Sequence, residues 1–364
     1  MIPYEDLQKV NKPIEKEIQL FFDQFLKSGK YILGTQVELF EREFADYIGT
    51  KYCVGVANGL DALFLSLSVL DLSPGAEVIV PSNTYIASIL SIINAGCIPV
   101  LVEPDIKTYN IDPKKIEEKI SDRTRAIMPV HLYGRACEMI SINSIAKKYN
   151  LYVIEDCAQS HGAGIQNKKT GSWGDLGAFS FYPTKNLGAF GDGGAVVTDN
   201  EQWYQKLKAL RNYGSETKYY NKYMGVNSRL DEIQAGMLRI KLKHLDKMNA
   251  HKRKLAALYH QHLPADCIKP LPLLTDENVF HIYNIRINKR DELKNHLLSN
   301  GIQTEIHYPI PPHLQIGYKK IIGSLNYPLS ELIHNTTLSL PISFSTTENE
   351  IKKICRSIKS FFSN

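Results

Sequence analysis

Two residues in this chain have the type and setting for carbonyl chemistry: Asp156, closing LYVIED, and Lys185, in SFYPTKNLGAFGDGG. A lysine amine condenses with an aldehyde only when part of it is uncharged, and burial or neighbouring cations shift lysine that way. A pyridine-ring aldehyde acts as an electron sink while its ring nitrogen stays protonated, and a facing buried carboxylate favours that charged form. Asp156 ends an apolar strand-like run, and Lys185 follows 29 residues later, after a second such run and before glycines. Gln159, three residues past Asp156, is placed to hydrogen-bond a ring oxygen.

Such a cofactor also needs an anion site. VANGLDAL reads as a strand, then Asn58-Gly59-Leu60, then a helix. A helix N-terminus reached through glycine offers free N–H groups to a phosphate. Ser180, five residues before Lys185, adds a hydroxyl, and Tyr85 in PSNTYIAS is placed to stack on a ring face. Each feature alone has an ordinary alternative. A strand-end Asp caps helices, a loop Lys is solvated, Asn-Gly makes turns and a Tyr fills cores. Together they occur in the order that one cofactor requires.

The elements that must position these residues follow from periodicity. YCVGVAN, AEVIVP, IPVLVEP, RAIMPVHLYG, LYVIED, GAFSFY and GGAVVTD are short apolar runs, and GLDALFLSLSVLDL and TYIASILSIINAG are helical segments among the first of them. This pattern predicts an α/β doubly wound, mostly parallel sheet with ligands outside the carboxyl ends of its strands. A helix is expected over 13–28, stopped by Gly29. SRLDEIQAGMLRIKLKHLDKMNAHKRKLAALYHQHL reads as one long basic helical stretch whose charges (Arg239, Lys241, Lys243, Lys247, Lys252, Arg253, Lys254) form a solvated face. After the Pro-rich break LPADCIKPLPLL, a βαβ-like tail (VFHIYNIRI, RDELKNHLLSNG, TEIHY) suggests a smaller α+β domain. The expected division is 1–245, with the N-terminal helix, and 246–364.

The bulk numbers exclude several classes. The chain has 364 residues, 43% hydrophobic and 22% charged, an ordinary globular composition that needs no disulfide staples. A net charge of +5 is too mild and dispersed for a nucleic-acid footprint. Six scattered cysteines contain no CxxC pair, so neither a zinc site nor a disulfide framework is expected, and reduced thiols in the cytoplasm are. The N-terminus is too polar for a signal peptide, and no run reaches the roughly 18 apolar residues of a membrane helix. A dinucleotide-dependent oxidoreductase lacks its GxGxxG at the first βα turn.

The stretches SGKYILG, GVANGLDAL, PSNTYIAS, VIEDCAQSHGA, GDLGAFSFYPTKNLGAFGDGGAVVT, NSRLDEIQAGML and IHYPIPPH resemble the DegT-like sugar aminotransferases, from about residue 10 to about 360. The resemblance implies an aspartate-aminotransferase-like fold (fold type I), pyridoxal 5'-phosphate as cofactor, and a homodimer with shared active sites. By motif it makes Lys185 the Schiff-base lysine, Asp156 the pyridinium partner, Gln159 the ring-oxygen contact and Tyr85 the stacking residue. Gly59, Leu60 and Ser180 would hold the phosphate, joined by Asn227 from the other subunit. Tyr182, Arg229, His307 and Tyr308 would meet a nucleotide-linked keto sugar, with L-glutamate as amino donor. Leu60 stands where many relatives carry Thr, which removes one phosphate hydroxyl. A dehydratase branch has His in place of the lysine, and this chain has Lys185. PSNTYIAS, PVHLYG and NYGS…NSRLDEIQAG most resemble enzymes that aminate C3 of dTDP-linked 3-keto-6-deoxyhexoses for surface polysaccharides or natural products. Amination at C4 of a 4-keto sugar is the alternative, and a cofactor-binding regulator is the non-enzymatic one.

Overall fold

The computed structural model describes residues 1–217, 219–272, 276–323 and 325–363. The first long helix, α1 (Glu15–Ser28), begins two residues later than 13–28 because Pro13 sits in a 3₁₀ turn, Lys12–Ile14. It stops at Gly29, whose φ of 61° is left-handed and costs glycine little. Helix α2 (Thr35–Ile48) then leads into the sheet.

The chain continues through β1 (Tyr52–Val56), α3 (Gly59–Ser68), β2 (Glu77–Pro81), α4 (Ile86–Asn94), β3 (Ile98–Val102) and β4 (Thr124–Ile127). After these come α5 (Met139–Tyr149), β5 (Tyr152–Asp156), β6 (Leu176–Ser180), β7 (Gly194–Thr198) and α6 (Glu201–Leu210). Seven strands form one sheet in the order β1-β7-β6-β5-β4-β2-β3. Pairs β2–β3, β2–β4, β4–β5 and β5–β6 are parallel. Only β7 runs against its neighbours β1 and β6, because the chain returns from β6 through loop 181–193 without a crossover helix.

Both faces of the sheet are covered, so the strands read as continuous apolar runs; β2 and β7 are buried along their whole length. Alternation sends Val78, Val80 and Ile154 to one face, against Leu63 and Leu67 of α3 and Ile89 and Ile92 of α4. Ile79 and Val153 face the other way, toward Ile142 of α5. The other end of that layer is aromatic: Phe44 of α2 meets the edges of Phe179 and Phe181 at centroid distances of 4.9 and 5.3 Å.

The long basic stretch is two helices, α7 (Glu232–Leu242) and α8 (Leu245–His262). Its charges do not all face solvent. Lys241 and Lys252 are buried, held by the carbonyl of Gly188 (2.7 Å) and Oδ1 of Asn186 (2.9 Å). Past the Pro-rich break, of which 273–275 lie outside the described residues, come β8 (Tyr283–Arg286), α9 (Arg290–Ser299), β9 (Thr337–Leu340) and α10 (Glu348–Ser363). Strands β8 and β9 pair antiparallel. The expected strand at TEIHY reduces to a single bridge, Glu305 to Ser339. Pro309, Pro311 and Pro312 follow directly, and residues without an N–H donor cannot extend a ladder. A second core joins Leu255 and Tyr259 of α8 to Tyr283, Leu297, Leu338 and Ile354, and the N-terminal Ile2 packs into it. Among the described residues no helix is long and apolar enough to cross a membrane.

Candidate active site

Strand β5 ends in two carboxylates on opposite faces. Glu155 points into the protein and is saturated: it accepts from the backbone N–H groups of Gly171 (2.9 Å), Trp173 (2.7 Å) and Gly174 (2.7 Å) and pairs with His131 Nε2 at 2.9 Å. Glu155, His131 and Cys157 thus bring metal-ligand types together, but hydrogen bonds already occupy the Glu155 oxygens and both His131 ring nitrogens. Asp156 lies on the other side, also buried, and accepts from Ser88 Oγ (2.7 Å) and from Ala158 N–H (3.1 Å). Burial pushes its carboxyl above the usual range, while Ser88, the Ala158 N–H and the Lys185 charge pull it back. A carboxylate so placed gains from a cationic partner.

Loop 181–193 carries Lys185 to this strand end. Its backbone N–H closes a turn onto Tyr182 O at 2.8 Å, and its Nζ lies 3.4 Å from His281 Nε2. Burial brings the amine down to about 8; the Asp156 carboxylate opposes that shift and the Lys252 charge adds to it. The amine therefore carries an uncharged fraction near neutral pH that an exposed lysine lacks. His281 is held neutral by burial and by the nearby lysines, and its buried Nδ1 has no partner among the described residues.

Gln159 is fixed at both ends: its Oε1 accepts from Tyr133 N–H (2.6 Å) and its Nε2 donates to the Tyr308 hydroxyl (3.0 Å). The Tyr308 ring lies 5.0 Å from that of Tyr85, which leads into α4 and is half exposed. His307 is anchored by Ser339 Oγ at 2.9 Å, and its carbonyl accepts from the Tyr133 hydroxyl. The Lys185 charge acts on Asp156, and Gln159, Tyr308 and Tyr85 form a chain of contacts that Tyr133 ties to His307 across 174 sequence positions.

Gly59 opens α3, whose N-cap Asn58 accepts from Asp61 N–H at 2.8 Å. A Cβ on Gly59 would lie 2.5 Å from the Cβ of Ser180, so only glycine lets the helix start approach β6. Gly59, Leu60 and Ser180 therefore share one corner, and Ser228 adjoins it by donating to Asp61 at 2.6 Å. Tyr182 is 53% exposed. Asn227 is exposed and bridges Asn212, while Arg229 donates to Asn212 Oδ1 (2.9 Å) and lies over the Tyr213 ring. Among the described residues, neither hydrogen-bonds Lys185, Asp156 or Gln159. Sequence reasoning missed Ser88, Tyr133, Asn186, Lys252 and His281. Ser88 and Tyr133 lie inside quoted motifs, and His281 is a lone histidine in an apolar run.

A model of the DegT/DnrJ/EryC1/StrS aminotransferase family matches residues 12–359. The chain belongs to this family. It is an aminotransferase with the type I fold, and aminotransferases of this family depend on pyridoxal 5'-phosphate. The aminotransferase is 54% identical, over 99% of each chain, to the dTDP-3-amino-3,6-dideoxy-alpha-D-galactopyranose transaminase of Aneurinibacillus thermoaerophilus. It superimposes on the crystal structure of S. venezuelae DesV with a TM-score of 0.97 at 41% identity, covering 100% of this chain and 99% of that one. NtdA from Bacillus subtilis, solved with bound cofactor PMP, matches at TM-score 0.90 and 32% identity over 98% of this chain and 85% of its own.

Proposed function

We propose that this aminotransferase carries pyridoxal 5'-phosphate on Lys185 and aminates C3 of a dTDP-linked 3-keto-6-deoxyhexose, with L-glutamate as donor. The observation that carries the substrate reading is the 54% identity, end to end, with a transaminase named for a 3-amino-3,6-dideoxygalactose nucleotide. We take the sugar to have that galacto configuration.

The residues present fit the cofactor. An amine of lowered basicity, a buried carboxylate and a glycine-gated helix start lie around one strand end, and beside them His281 Nδ1 has no partner among the described residues. When bound, the cofactor supplies an electron sink for the charge left when a carbon next to nitrogen loses its proton. Asp156 would keep the ring nitrogen protonated, and Ser88 and the Ala158 N–H keep that carboxylate oriented. Gln159 would donate to the ring oxygen and Tyr85 would pack on the ring. The N–H groups of Gly59 and Leu60 and the Ser180 hydroxyl would bind the phosphate. Nζ of Lys185 takes the proton from the donor's α-carbon and later delivers one to C3 of the sugar. Tyr182, Arg229, His307 and Tyr308 bind the nucleotide sugar, whose remote contacts orient the carbonyl.

The exposure of Asn227, near the phosphate corner through Ser228, supports a homodimer in which each site is completed by the second copy. Six unpaired, buried cysteines support a cytoplasmic enzyme. The test is release of 2-oxoglutarate from L-glutamate by the purified enzyme. Turnover that depends on the dTDP-3-keto sugar is expected; turnover only with a 4-keto sugar, or none with either, would refute the reading.

A further inference from the structure

Lys185 belongs to a second cluster that the reaction described above does not use. A small cavity of about 20 Å³ is lined by Glu5, Lys185, Asn186, Lys241, Lys252 and Phe344. Lys241 comes from α7, Lys252 from α8 and Glu5 from the N-terminal segment, so three separate parts of the chain bring charge to the back of one loop. Three cationic side chains around so small a space repel one another, and Glu5, the carbonyl of Gly188 and Oδ1 of Asn186 offset only part of that cost.

Asn186, the residue after Lys185, organises this cluster. Its Nδ2 donates to Asn249 Oδ1 at 2.8 Å and to Val279 O at 3.0 Å. Those two acceptors fix which way the amide faces and leave its oxygen for Lys252 Nζ, at 2.9 Å. Asn249 in turn donates to His161 O at 2.8 Å. Asn249 and Lys252 lie three apart on α8, so one face of that helix grips the residue beside the reactive lysine. Asn186, Asn249 and Lys252 are all at most 5% exposed.

We propose that Lys252, acting through Asn186, is a positioning residue for Lys185: it fixes the loop that carries the amine and sets a buried positive charge beside it. This rests on the reading of Lys185 as the cofactor anchor. A neutral hydrogen-bond donor at 252 would hold Asn186 equally well; the charge is what a merely structural role would not require. Lys241 lines the same cavity, but among the described cations it is Lys252 whose charge acts on Lys185, and the other ionisable groups in reach do not supply it. His161 and His281 are neutral, driven down by burial. Asp156 acts in the opposite sense on Lys185, and Glu5 acts in the opposite sense on Lys252 and Lys241. Lys252 acts on Lys185 in the same direction as burial, and because burial brings the Lys252 amine itself down to about 8, its charge acts in full below that pH.

The experiment labels Lys185 in the full-length chain freed of cofactor. Acetic anhydride is applied across a pH series, and the Lys185 peptide is quantified by mass spectrometry. Lys252→Gln keeps a donor to Asn186 and removes the charge. The labelling midpoint is expected to move up by about one pH unit, an approximately tenfold loss of reactive amine at fixed pH below it. Lys252→Arg restores the wild-type profile. Lys252→Met, which removes the charge together with the donor, shifts the midpoint in the same direction and serves if the first variant does not fold. Profiles that superimpose on the wild type in a folded Lys252→Gln or Lys252→Met chain would overturn the proposal. Borohydride trapping of the cofactor on the wild-type holoenzyme separates the two claims, since a label on a different lysine defeats the anchor reading itself.

Discussion

Ser88 Oγ donates to Asp156 Oδ2 at 2.7 Å, and both side chains are buried. Thr84 Oγ1 lies 2.8 Å from the same hydroxyl, and because Ser88 gives its proton to the carboxylate, Thr84 must donate to Ser88. Two hydroxyls in series thus stabilise an anion that burial disfavours. Asp156→Asn removes the charge and is expected to lower turnover by about 100-fold or more, about 3 kcal/mol of barrier. Ser88→Ala keeps the charge but raises the carboxyl further. It should cost about tenfold at neutral pH, roughly one hydrogen bond to a charged group, with a larger deficit as pH falls. Steady-state kinetics across pH check both. A Ser88→Ala enzyme with a wild-type pH profile would show that the carboxylate does not depend on this bond.

Gly59→Ala tests the phosphate corner. A methyl there would lie 2.5 Å from the Ser180 Cβ, so the start of α3 must retreat from β6. Cofactor affinity should fall by about tenfold or more, on the order of 1.4 kcal/mol, while the fold persists. Fluorescence titration of the cofactor-free protein measures it, and an unchanged Kd would place the phosphate elsewhere.

Lys241 predicts a pH dependence of stability. Burial lowers its folded-state value to about 8, against an ordinary 10.5 when unfolded. Between these values the unfolded chain holds a proton that the folded chain does not, so this residue makes stability rise with pH across about 8 to 10.5. Below about 8 both states are protonated and the cost of the buried charge is fully present. Denaturant unfolding of wild type and Lys241→Met should therefore diverge in slope over that window, by at most about 3 kcal/mol. Parallel stability curves would contradict a buried, shifted lysine.

Shared sites make a prediction of their own. If Asn227 completes the neighbouring subunit's site, a Lys185→Ala chain mixed with an Asn227→Ala chain forms heterodimers with one intact site. Up to about half of the heterodimer's sites should recover. No recovery after verified subunit exchange would mean that each chain is self-sufficient.

Lys185 and Asp156 are legible in the sequence because strand ends and glycine loops leave local signatures. An apolar run that closes on a carboxylate reads as the ligand end of a parallel strand, and β5 is one. The mostly parallel sheet is legible for the same reason, whereas the antiparallel direction of β7 against β6 is not, because an apolar run carries no direction. Lys252 is not, since a lysine on a basic helix looks solvated until α8 is packed against Asn186, 66 positions away in the chain. His281 meets Lys185 across 96 positions, and no local pattern encodes that pairing. TEIHY stays a single bridge because Pro309, Pro311 and Pro312, which lack N–H donors, follow it.

Amination at C3 is read out by the position of the new nitrogen. The enzyme is incubated with [¹⁵N]L-glutamate and dTDP-linked 3-keto- and 4-keto-6-deoxyhexoses in separate reactions, and each product is examined by NMR. We predict ¹⁵N bonded to C3, formed only from the 3-keto substrate. Nitrogen at C4, with the 3-keto sugar left unchanged, would contradict the substrate assignment and leave Lys185 and Asp156 serving a different sugar.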